Sequence, residues 1–166
     1  PGLGPANQRQ LLAAFGLPEC IYGAGFGPVA AVIGAPAAGK LFDHDATAAV
    51  DLALEWQARP GNAILTLGDA AYPASLLEIP DPPVLLYVKG DAALLSRQSI
   101  AVVGARSATP QGEANAEAFS TALSAAGLTI VSGLALGTDA AAHRGGLSGP
   151  GSTVAVIGTG ADRIYP

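Results

Sequence analysis

The sequence has one cysteine, no methionine, one tryptophan, four tyrosines and four phenylalanines in 166 residues. A lone cysteine, Cys20, cannot form an internal disulfide, which excludes a disulfide-stapled scaffold and fits a reducing, cytoplasmic setting. No apolar run approaches the ~20 residues that a bilayer-spanning helix needs, and no charged-then-apolar leader opens the chain. Charged residues make up only 13%. Lys and Arg total 8 against 13 Asp and Glu, a net charge of −5 that argues against a polyanionic partner for the chain as a whole.

What is present is apolar and turn-rich. Half the residues are hydrophobic, enough for a packed core, and 22 glycines with 13 prolines imply many tight turns between short elements. The acidity is unevenly spread. Residues 1–96 carry Arg9, Lys40, Arg59 and Lys89 against nine acids, whereas residues 97–166 carry Arg97, Arg106, Arg144 and Arg163 against four. A local cationic groove in the second half is compatible with the negative total.

Residues 1–60 read as a small helical N-terminal domain. In PGLGPANQRQLLAAFGLPECIYGAG, Leu11, Leu12 and Phe15 recur at helical spacing and Gly16 and Pro18 close the helix. Cys20, beside apolar neighbours, is expected in the core. DATAAVDLALEWQARPG is a second amphipathic helix with Ala49, Leu52 and Trp56 expected inward, and FGPVAAVIGAPAAGK is ambiguous between helix and loop. Asp43-His44-Asp45 reads as a solvated loop, because three sequence neighbours cannot easily face one metal ion. AILTLGDAAYP and IPDPPVLLYVKGD then read as strands with turns.

From residue 61 onward an α/β domain is expected. IAVVG (100–104), TIVSG (129–133) and TVAVIG (153–158) each run straight into glycine. Continuous apolar runs imply parallel strands buried on both faces, and the gaps fit helical crossovers. TPQGEANAEAFSTALSAAG supplies one, with Thr109 as N-cap, Pro110 at the first helical position and Gly127 past the end. GTDAAAHRGGL supplies the other, with Thr138 as N-cap and Asp139 at the positive helix end. The fold class is α/β, a Rossmann-like parallel sheet preceded by small helices. Such a sheet normally continues, and later strands are expected beyond the third.

Ligands of open parallel sheets bind outside the carboxyl ends of the strands. Three loops fall there: Gly104-Ala105-Arg106-Ser107, Gly133 to Thr138, and Gly158 to Arg163. Glycines let backbone N–H groups approach an anion, the guanidinium groups of Arg106 and Arg163 can fork onto phosphate, and Ser107, Thr138 and Thr159 add hydroxyls. The pattern points to phosphate. It does not fit a dinucleotide, because G-A-R-S-A-T lacks the second glycine and Val131-Ser132-Gly133 lacks the ribose-reading acid; no P-loop is present either. No cofactor and no metal is therefore expected. Asp139 and His143, four apart, share a helix face, but no nucleophile or carboxylate pair joins them. The simpler reading of His143 is a hydrogen bond that fixes the second crossover.

YPASLLEIPDPPVLLYVKGD, IAVVGARSATPQG, TIVSGLALGTDAAAHRGGL and TVAVIGTGADRIYP, in this order and spacing, closely resemble the DNA-processing protein A family (DprA, also called Smf) from about residue 63 to the end. The N-terminal PGLGPANQRQLLAAFG also resembles that family's small helical domain. The resemblance implies a cytosolic bacterial protein of natural transformation that is not an enzyme, binds single-stranded DNA and helps load the RecA recombinase. It implies an extended Rossmann-like domain whose first half is residues 61–166, acting as a homodimer through a surface in the second half. Carried over by motif, Gly104, Ala105, Arg106 and Ser107 would grip the DNA backbone, Gly133 and Gly137 would line the pocket, and Gly158, Gly160, Arg163 and Tyr165 would add donors, a cation and an aromatic edge. Members often have Ser where Ala105 stands, which removes a hydroxyl, and Lys near Arg163, which keeps the charge. With so few aromatics, affinity is expected to rest on phosphate more than on stacking. The competing reading from the residues is a nucleotide-processing, phosphoribohydrolase-like enzyme on a similar sheet, though its Pro-Gly-Gly and downstream Glu are absent from this sequence.

Overall fold

The structure, a computed structural model, describes residues 3–160. The chain forms two compact units, Pro1–Asp69 with Ala74–Leu86, and Ala70–Pro73 with Tyr87–Pro166.

In the first unit, α1 (Pro5–Phe15), α2 (Pro18–Ala24), α3 (Phe26–Ile33) and α4 (Ala35–Phe42) enclose a core of Leu11, Ile21, Val29 and Ala38. The stretch left ambiguous by sequence is two helices. Gly34 (φ 82°) stands between them in a left-handed conformation that residues with a side chain rarely adopt. Cys20 is exposed, contrary to expectation, because the covered side of α2 is carried by its neighbour Ile21. The Arg9 guanidinium on α1 pairs with Asp81 and donates to the Pro82 carbonyl.

Helix α5 (Thr47–Gln57) packs on β1 (Asn62–Thr66), and Asn62 Nδ2 donates to the Trp56 carbonyl at 2.7 Å. The inward face expected for α5 is corrected: Leu52 is 67% exposed and Ala49 is exposed, while Ala53 and Trp56 are half-buried. The covered edge carries Ala53 and Trp56, and the Trp56 carbonyl is the one that Asn62 reaches at the start of β1. This packing sets β1 in the first unit. A short α6 (Ala74–Leu77) leads to β2 (Leu85–Lys89), which pairs with β1.

The second unit holds a three-stranded parallel sheet, ordered β3 (Ser99–Ala101), β4 (Thr129–Ser132), β5 (Thr153–Ala155). Ile100 pairs with Ile130 and Ile130 with Thr153. Helices α7 (Pro110–Ala125) and α8 (Thr138–Leu147) pack on each other and both on β4, so they share one face of the sheet. Burial on both faces therefore does not extend along the sheet: β4 is largely buried, while β3 is exposed throughout among the described residues. Thr109 caps α7 as expected, its hydroxyl accepting the Gly112 N–H at 3.1 Å with Pro110 in the first turn.

The α7–α8 seam is made of small residues: Ala116, Ser120 and Ser124 against Ala141, Ala142, Gly145 and Gly146. Ser124 Oγ donates to the Gly146 carbonyl at 2.7 Å and accepts the Ser152 N–H at 3.2 Å. Arg97 Nη1 donates to the Pro150 carbonyl at 3.0 Å, and Arg144 pairs with Glu117 (2.8 Å) and Glu113 (3.8 Å).

Candidate anion site at the carboxyl edge of the sheet

Parallel pairing brings the carboxyl ends of β3, β4 and β5 to one edge. Gly104 and Ala105 follow β3 and lead into a turn at Arg106 and Ser107; all four are exposed. Among the described residues Arg106 makes no ion pair or hydrogen bond, in contrast to Arg97 and Arg144. A guanidinium left free at the end of a parallel strand is available to fork onto an anion.

The loop after β4 is locked to this turn. The Thr138 N–H donates to the Ala105 carbonyl at 3.2 Å. A Cβ on Gly137 (φ 73°) would stand 2.5 Å from the carbonyl oxygens of both Ala105 and Arg106. A Cβ on Gly104 would stand 2.5 Å from Thr138 Oγ1. Thr138 is thus not the cap of α8, as its sequence position suggested. Gly137 takes that place, because the Thr138 side chain fills the space that Gly104 leaves.

The amino end of α8 is not an open donor set either. Its first N–H goes to Ala105, and the buried Asp139 carboxylate occupies the positive end, accepting the Ala135 N–H at 3.4 Å. Leu134 sits at φ 61°, a strained position for a residue with a side chain, beside that contact. Gly133 faces Asp139, where a Cβ would be 3.0 Å from Oδ2.

Gly158, Thr159 and Gly160 are exposed after β5. Arg163 and Tyr165 lie outside the described residues. Sequence reasoning missed both the interlock and the apolar side chains exposed near this edge, Val103 (71%), Leu136 (60%) and Val156 (64%). Paired glycines at 104 and 137 were the available signal for the interlock.

His143 does not meet Asp139 through a hydrogen bond. Thr153 Oγ1 donates its only proton to the Ile130 carbonyl (2.8 Å), so the 2.7 Å contact with His143 Nδ1 requires the imidazole to donate. The Nε2 atom is then an acceptor, buried with no partner among the described residues. Burial holds the imidazole below its ordinary range, partly opposed by the Asp139 carboxylate. On acidification the unfolded chain takes up the proton first. The contribution of His143 to stability is complete above about pH 6.5 and is lost as pH falls below it. His143→Asn keeps an N–H for Thr153 and is expected to flatten this loss; urea denaturation at about pH 7.5 and about pH 5.5 checks it, and equal losses in both proteins count against it. Among the described residues no group of three His, Cys, Asp or Glu side chains is placed to hold a metal, and none of the helices is long and apolar enough to cross a membrane.

These features define a Rossmann-like α/β protein with a cationic turn at the carboxyl edge of a parallel sheet. The model of the DNA recombination-mediator protein A family matches residues 63–166, and the chain belongs to that family. It is 47% identical over 115 residues to the DNA processing protein DprA of Streptococcus pneumoniae, covering 69% of this chain and 39% of that protein. It is 43% identical over 117 residues to the protein Smf of Synechocystis, and 35% over 117 to the protein Smf of Escherichia coli. The chain spans at most about two fifths of these relatives. The X-ray structure of DprA from S. pneumoniae superposes with a TM-score of 0.77 at 35% identity, covering 99% of this chain and 56% of that one. A structure of DprA from Helicobacter pylori, described for its single-stranded DNA binding mode, superposes with a TM-score of 0.53 at 31% identity, covering 63% and 46%.

Proposed function

We propose that this chain binds single-stranded DNA through its phosphate backbone, as part of a recombination mediator that is not an enzyme. The observation that carries the reading is Arg106: an exposed guanidinium, unpaired among the described residues, beside the Ser107 hydroxyl at the carboxyl edge of the sheet, within the segment matched by the family model. Phosphate contacts supply affinity without reading sequence, which suits a mediator acting on any incoming strand. Gly104, Ala105, Arg106 and Ser107 grip the backbone in this reading. Gly133, Gly137, Gly158, Gly160, Arg163 and Tyr165 complete the site, and residues 61–166 are the first half of the DNA-binding domain. The resemblance supports the rest of the proposal: delivery of the strand to RecA during natural transformation, in the cytoplasm, by a homodimer of the whole protein.

Arg106→Ala tests the site. Losing one charge-assisted contact of about 1.5 kcal/mol or more lowers affinity for a labelled oligothymidylate at least about tenfold. The slope of log K against log salt becomes shallower by about 0.7, the share of one phosphate on a single strand. Fluorescence anisotropy between about 50 and 200 mM salt measures both. Salt-independent binding, or an unaltered variant, overturns the reading. Release of free base from a nucleoside monophosphate would favour the enzymatic alternative.

A further inference from the structure

We propose that Gly104 and Gly137 also act as positioning residues, which aim Arg106 by locking two loops together. The inference rests on the phosphate-binding role of Arg106. The Arg106 turn has little to hold it locally: its four residues are exposed. Its support comes from the loop after β4. The Ala105 carbonyl receives the Thr138 N–H, and the carbonyls of Ala105 and Arg106 lie where a Gly137 side chain would be. In return, Thr138 fills the space that Gly104 leaves. Each glycine is the hole for the other loop's backbone or side chain. The lock sets the Arg106 peptide against the first turn of α8, which is itself pinned by the Asp139 carboxylate on the Ala135 N–H.

A Cβ at Gly137 meets two backbone oxygens, which cannot rotate away, so the turn must move and take the guanidinium with it. Gly137→Asn separates the two demands on this position. Asparagine tolerates a positive φ, yet it still strikes the carbonyls.

The test is a double-mutant cycle on oligothymidylate binding, read as affinity and as salt slope. Gly137→Ala and Gly137→Asn are each expected to lower affinity about tenfold and flatten the slope by about 0.7, as Arg106→Ala does. Adding Arg106→Ala to either is expected to cost nothing more, because the contact is already gone. A wild-type slope in both Gly137 variants, or a combined loss near a hundredfold, overturns the inference while leaving the role of Arg106 intact. A wild-type slope in Arg106→Ala removes the phosphate reading and this inference with it. If the Gly137 variants do not fold, Gly104→Ala carries the test. It is expected to lose the same slope, and adding Thr138→Gly, which empties the facing space, is expected to restore it; failure to restore overturns the lock.

Discussion

Gly145→Ala is expected to destabilise the second unit by about 2 kcal/mol and to lower its melting temperature by about 10 °C. Alanine is the better helix former by roughly 1 kcal/mol, so propensity alone predicts a gain. The seam decides otherwise. A methyl group on Gly145 would meet the Glu117 carbonyl, stand 2.7 Å from Ser120 Cβ and stand 2.9 Å from the Thr121 amide nitrogen. Two of these are backbone atoms of a capped helix, and they cannot yield by rotating. The helices must part, which costs about 3 kcal/mol and outweighs the gain. Separation would also stretch the Ser124–Gly146 hydrogen bond across the same seam. Thermal unfolding followed by circular dichroism measures the shift, and an unchanged or raised midpoint would show that the seam is looser than described.

Leu11→Ala is expected to be of similar or greater size in the first unit. Leu11 is 2% exposed in the core it forms with Ile21, Val29 and Ala38, closed by Leu12, Phe15, Ile33 and Phe42 among others. Truncation removes three heavy atoms of burial and leaves a cavity that short, glycine-ended helices can close only in part. The cost is about 2 to 5 kcal/mol. Hydrogen exchange should show lost protection in α1 to α4. Protection that persists there at the wild-type level would mean that the core collapses around the gap without loss.

The parts of this fold that were legible in sequence are those written in local chemistry. Three apolar runs ending in glycine marked β3, β4 and β5, because a parallel strand turns at its carboxyl end into the next helix. Thr109 and Pro110 marked the start of α7 through a cap that involves only its own first turn. Leu11, Leu12 and Phe15 marked α1 by spacing. Apart from Cys20, which yields the covered side of α2 to its neighbour Ile21, the failures depended on packing partners that no local pattern names. Leu52 fits an inward stripe by pattern, yet the covered edge of α5 is the one that carries Ala53 and Trp56. Thr138 has the chemistry of a cap, yet Gly104 draws its side chain away. The cationic turn could be foreseen from Arg106 and its glycine, but not that Asp139 and the Ala105 carbonyl would already occupy the amino end of α8.

The second half of the sequence carries equal numbers of acids and bases, and the described arginines are divided among different tasks. Arg97 is a staple on loop carbonyls and Arg144 is answered by two glutamates, which leaves Arg106 as an isolated point of positive potential. With a net charge of −5 over the whole sequence, nothing draws a strand in from beyond the Debye length of about 10 Å. In the proposed reading, encounters with DNA would therefore begin without electrostatic steering, and capture would be decided at short range, when a phosphate arrives within reach of the strand-end loops.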